Sequence, residues 1–100
     1  MNHHFEPSHF SKGNHLFQTS VEIDDTLRTV TCQRPRLIGS KTVTFNAYDI
    51  STITLNTRTE YLYLSEIILT IIGADVIVLN GFTIQDARAI KEIIDQIKLY

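Results

Sequence analysis

The sequence predicts an α+β domain in which six or seven short antiparallel strands precede one C-terminal amphipathic helix. Two observations carry that class. Isoleucine, valine and threonine supply 31 of the 100 residues, most of them before residue 80, and β-branched side chains fit a pleated sheet better than a helix. From Thr83 the hydrophobic period changes: Ala87, Ile90, Ile94 and Ile97 recur at steps of three, four and three, which marks one apolar stripe of a helix. One helix covers only one face of a flat sheet, so the sheet is expected to curl or split into two packed layers, with the helix over one open end.

The elements follow in order. Residues 1–15 hold His3, His4, His9 and His15, Pro7 and Gly13 without periodicity and are expected to form a flexible N-terminal arm; the domain is expected to occupy 16–100. Phe17, Thr19, Val21 and Ile23 alternate with Gln18, Ser20 and Glu22 until Asp24-Asp25-Thr26 supplies a turn. A second run, Leu27 to Gln33, follows at once and predicts an antiparallel hairpin. Arg34-Pro35-Arg36 is expected to break the pattern, because proline donates no ladder hydrogen bond, and Gly39-Ser40 offers a second break. Val43, Phe45 and Ala47 alternate with Thr42, Thr44 and Asn46, Asp49 marks a corner, and Ile50 to Thr57 reads as a further strand with Ile53 and Leu55 on one side.

Beyond the polar stretch 57–60, Tyr61 to Ile72 predicts one bent strand or two short ones, with Ile67, Leu69 and Ile71 inward and Ile68 and Ile72 opposite. Gly73-Ala74-Asp75 turns the chain into Val76 to Leu79, and Asn80-Gly81, which tolerate positive φ, are expected to end that strand. Thr83 is placed as the N-cap of the helix, with Asp86 three residues on at the positive end of the dipole.

Composition narrows the function classes. With nine Lys and Arg against eleven Asp and Glu, the chain lacks the basic excess that phosphate neutralisation demands, so no nucleic-acid partner is expected. A single cysteine closes no internal disulfide, and the first residues lack a secretory pattern, which together predict a cytoplasmic protein. No glycine-rich phosphate loop, carboxylate pair or nucleophile elbow is present, so neither an enzyme nor a cofactor is expected.

Residues 21–97 resemble a bacterial pleckstrin-homology-like (PH-like) domain. The likeness rests on the short turn at Asp24-Asp25, the Arg-rich turn before Leu37-Ile38-Gly39, the Tyr48-Asp49-Ile50-Ser51 step, and Asn80-Gly81-Phe82-Thr83 leading into Asp86-Ala87-Arg88-Ala89-Ile90. The resemblance implies a partly open barrel of two orthogonal sheets capped by the C-terminal helix, and a role in binding or assembly. Members that recognise phosphoinositides use basic residues around the first hairpin. Here that hairpin carries Glu22-Ile23-Asp24-Asp25, whose carboxylates repel a phosphorylated headgroup.

Three groups of residues are candidates for function. Tyr61 and Tyr63 share one face near a loop, and Ile68 and Ile72 point away from the inward set; together they predict an interface with a protein partner or with a second copy of the chain. Arg34, Arg36 and Lys41 form the strongest cationic cluster, suited to an anion or to peripheral contact with anionic lipid. The histidines are irregularly spaced and no cysteine or carboxylate completes a tetrahedral set around them, so no metal site is expected. Cys32 falls in phase with Val30 and reads as a buried, inert thiol.

Overall fold

The computed structural model describes residues 1–7, 19–35, 40–57, 64–73 and 76–99. Among these the architecture is α+β, with two antiparallel sheets and one C-terminal helix. Strands β1 (Asn2–Phe5), β2 (Ser20–Asp24), β3 (Thr29–Pro35) and β4 (Ser40–Asn46) form a four-stranded sheet in sequential order. Strands β5 (Ile50–Thr57), β6 (Leu64–Ile71) and β7 (Ile77–Thr83) form a three-stranded sheet, and helix α1 spans Ile84–Lys98. No strand pairing joins β4 to β5, so the sheets do not close into a barrel.

Alternation builds the first sheet. Val21 stands opposite Cys32 and Ile23 opposite Val30, and all four are buried. The hairpin closes because the Asp24 carboxylate accepts from the backbone N–H of both Thr26 and Leu27 at 3.0 Å, a local side-chain turn that aspartate favours. The turn ends later than the sequence suggests: Leu27 is an exposed turn residue, and β3 begins at Thr29.

Two expectations are corrected here. Asn2–Phe5 lie within the expected arm yet form an edge strand, with His3 opposite Ile23 and Phe5 opposite Val21. The alternation is real, His3 and Phe5 half-buried and Asn2 and His4 exposed, but only Phe5 is apolar, so no hydrophobic period announces it. Residues 8–15 of that arm lie outside the described residues. Likewise β3 does not break at Arg34-Pro35; it continues to Pro35, opposite Ser40. The reason is local. Pairing with β2 ends at Gln33, so among the described residues the last two of β3 have a neighbour on one side only, where a missing N–H is tolerated.

The second sheet depends on two bulges. Between Ile50 and Thr52, two steps along β5 match one along β6, so Ile50 and Ile53, three apart, both reach the core side, Ile50 buried and Ile53 partly buried against the core. The Ser51 hydroxyl donates to the Thr70 carbonyl at 3.1 Å inside this irregularity. In β7 the register passes from Ser65–Phe82 to Ile67–Leu79, one extra residue on β7. Gly81 sits there at φ 86°, a left-handed conformation that glycine adopts without steric cost. Asn80-Gly81 therefore does not end the strand as expected. It is a bulge that lets Leu79 and Phe82, three apart, both be fully buried.

Helix α1 begins where Thr83 Oγ1 accepts from the Asp86 N–H at 3.1 Å, as the N-cap assignment requires. Its buried face is Ala87, Ile90, Ile94 and Ile97. It lies against β5, β6, β7 and the 3-10 turn at Ala47–Asp49, and each isoleucine so buried contributes about 1.5–3 kcal/mol. That turn couples the layers: Ala47 N–H donates to the Arg28 carbonyl at 2.9 Å, Ile72 N–H to the Asp49 carbonyl at 2.7 Å, and Lys98 Nζ to the Ile50 carbonyl.

Candidate interaction surface

The outer face of the three-stranded sheet is apolar along one strip. Because β6 sends Ile67, Leu69 and Ile71 inward, the period of two leaves Glu66, Ile68 and Thr70 outward. Ile68 stands directly opposite Val78 on β7 and opposite Thr54 on β5. Ile72, four residues after Ile68, is 65% exposed; Val76, two before Val78, is 52% exposed, and Val78 is 47% exposed. Among the described residues β7 is also an edge strand. Edge strands are usually blunted by charge or proline, yet Ile-Val-Leu-Asn-Gly-Phe-Thr contains neither. Its bulge lies at the far end, leaving the stretch from Val76 to Leu79 as a regular apolar edge.

Two of the four expected interface residues, Ile68 and Ile72, belong to this strip; Tyr61 and Tyr63 lie outside the described residues. Val76 and Val78 were not singled out by sequence, because Val76-Ile77-Val78-Leu79 is apolar at every position and reads as a strand buried on both faces. Of the cationic group, Arg34 and Lys41 are cross-strand partners at the end of the β3–β4 hairpin, two residues beyond the Cys32–Val43 pair. Arg36 lies outside the described residues.

The remaining chemistry-bearing residues are placed as follows. Cys32 is buried, and burial pushes its thiol up to about 11 from an ordinary 9.0. The folded state thus keeps the proton more tightly than the unfolded chain, so this group favours folding below pH 9 and loses that contribution as pH rises towards 11. The expected loss, at most about 3 kcal/mol, is read from denaturation midpoints at pH 8 and pH 11 in wild type against Cys32→Ala; equal pH dependence in the two would contradict it. At the other end of the sheet, His3 Nε2 meets Asp25 Oδ2 at 3.0 Å and the N-terminal amino group meets Asp25 Oδ1 at 2.7 Å. Hydrogen bonds from the amino group first, then from His3, hold the Asp25 carboxyl below the usual carboxylate range. His4 Nε2 meets Glu6 Oε1 at 3.2 Å. Among the described residues no three His, Cys, Asp or Glu side chains converge as metal ligands, and no helix is long and apolar enough to cross a membrane.

Comparison with protein-family models, with curated proteins and with solved structures finds no match to this chain.

Proposed function

We propose that the chain is a non-catalytic, cytoplasmic, PH-like assembly module that self-associates through the open edge of β7 and the strip Ile68, Ile72, Val76 and Val78. The observation that carries this reading is the coincidence of an uncharged, proline-free edge with exposed aliphatic side chains on the adjoining face. An edge strand paired antiparallel with its own copy about a two-fold axis closes both edges at once and stops at the dimer. It also sets the exposed Val76 and Val78 beside the partner's strand, covering part of the apolar surface that a 100-residue domain leaves open. The four-plus-three strand order with a C-terminal helix supports the PH-like part of the reading. A protein partner in place of the second copy uses the same edge, by adding a strand to the sheet.

The test is molar mass by light scattering across a concentration series. Wild type is expected to rise towards twice the 11.4 kDa chain mass, and Val78→Lys to stay at the chain mass, since a lysine on an edge strand opposes its pairing with a second copy. Val78 is half exposed, so the variant is expected to melt within about 0.5 kcal/mol of wild type, as surface substitutions do. A wild type that remains at the chain mass throughout overturns self-association.

A second reading, binding of an anion or of anionic lipid through Arg34, Arg36 and Lys41, is favoured by the register that sets Arg34 opposite Lys41. Unlike the apolar edge, binding there weakens steeply with salt.

A further inference from the structure

A cleft of about 370 Å³ opens between the β2–β3 turn and the last turns of α1, lined by His3, Asp25, Arg28, Ile93, Gln96 and Ile97. Its size falls at the lower end of the range for small-molecule sites, and it combines an apolar floor with a few convergent polar groups. We propose that it binds a small monocarboxylate with a short aliphatic body, the carboxylate on Arg28 and the body across Ile93 and Ile97. This inference is independent of self-association.

Arg28 is the anchor. It is the one non-glycine residue with positive φ, 60°, among the described residues. A side chain in that region costs of order 1–3 kcal/mol and persists only where the surroundings impose it. Here they do, because its carbonyl accepts from the Ala47 N–H at 2.9 Å. Its guanidinium lies over the Tyr48 ring, 5.7 Å from the centroid, a contact made through the π-face that leaves N–H donors for a fork-shaped acceptor. No carboxylate pairs with Arg28 among the described residues. The carboxylate that lines the cleft, Asp25, has its two oxygens engaged by His3 and the N-terminal amino group.

The same inventory selects the ligand class. A phosphate carries about two charges, but the cleft supplies one guanidinium beside a carboxylate and no glycine-rich cradle of backbone N–H groups. A divalent cation is repelled by Arg28. A single carboxylate matches one guanidinium in charge and geometry, while half-buried Ile93 and buried Ile97 offer the tail an apolar wall and the Gln96 amide a further donor.

The experiment is a titration of the full chain with hexanoate, followed by two-dimensional amide NMR, with hexan-1-ol and inorganic phosphate as comparison probes. Hexanoate is expected to shift the signals of His3, Ile93 and Ile97 saturably, and hexan-1-ol to bind roughly 10- to 100-fold more weakly, the factor a charge-assisted hydrogen bond supplies. Arg28→Met is expected to weaken hexanoate by a similar factor and Arg28→Lys by less, a point charge replacing a fork. Methionine is no worse than arginine at φ 60°, and unchanged signal dispersion verifies that the turn survives. If Arg28→Met fails to fold, the hexanoate-to-hexanol ratio in wild type decides alone. The proposal is overturned by equal binding of the two, by phosphate binding more tightly than hexanoate, by full affinity in Arg28→Met, or by no saturable shift up to about 20 mM, beyond which affinity is negligible.

Discussion

Phe82→Ala is expected to lower the folding free energy by about 3–5 kcal/mol, the range for truncating a fully buried phenylalanine. Phe82 is the largest completely buried side chain among the described residues. It lies one residue past Gly81 and one before the N-cap of α1, where the strand has just been re-phased and a neighbouring side chain has little freedom to collapse into the void. A domain of this size has a total stability of roughly 5–15 kcal/mol, so the variant is expected to be marginal, with its melting temperature lower by about 15–30 °C. Urea denaturation measures this as a shift in midpoint at unchanged slope. Phe82→Leu, which keeps most of the volume, separates a packing effect from a general intolerance at the site. Were Phe82→Ala to cost less than about 1 kcal/mol, like an ordinary surface change, the side chain would lie outside the core. The extra residue on β7 would then be misplaced, since only that residue brings position 82 to the same side as Leu79.

The bulges explain which parts of the fold were legible in the sequence. Helix α1 was, because four apolar residues at helical spacing meet no competing signal, and all four are buried. The inward set of β6 was equally plain, as uninterrupted alternation on a sheet with one covered face, and so was β5 beyond its bulge, from Thr52 to Asn56. What alternation cannot express is a change of phase. Ile50 and Ile53 have opposite parity, as do Leu79 and Phe82, so a strict period of two assigns one of each pair to solvent. Only the pairing partner across the sheet, distant in sequence, shows that an extra residue intervenes. Strand β1 was hidden for a different reason: it is held by ladder hydrogen bonds and one phenylalanine, which leave no compositional trace in Asn-His-His-Phe.

The candidate surface was half legible for the same physical reasons. Ile68 and Ile72 stood out because they oppose an inward set of the same residue type. Val76 and Val78 did not, since their neighbours Ile77 and Leu79 are equally apolar and nothing local tells an edge strand from a central one. Arg28 gave no signal at all. Positive φ is foreseeable at glycine and asparagine, whereas an arginine is forced there by the turn and by the Ala47 hydrogen bond.

Ile90→Asp probes the helix that completes the core, and its expected cost exceeds that of truncation. Ile90 is fully buried at the middle of the apolar stripe. Besides losing the aliphatic contact, a carboxylate there is stripped of water without a partner, and an unpaired buried charge costs several kcal/mol. Together these reach or exceed the smaller estimates of the whole folding free energy, so the chain is expected to be largely unfolded at pH 7 by circular dichroism. Ile90→Asn removes the same contact without the charge and isolates the electrostatic part. The sign of the pH dependence follows from burial. Desolvation raises the pKa of the introduced carboxyl in the folded state above its unfolded value of about 3.9, so the penalty is full at neutral pH and is relieved as pH falls through the raised value. The gap between the aspartate and asparagine variants is therefore expected to close on acidification from neutrality towards the unfolded-state value, whatever acid does to the rest of the molecule, because that contribution is common to both. A constant gap would mean that the side chain reaches water, which a helix seated on β5, β6 and β7 does not allow.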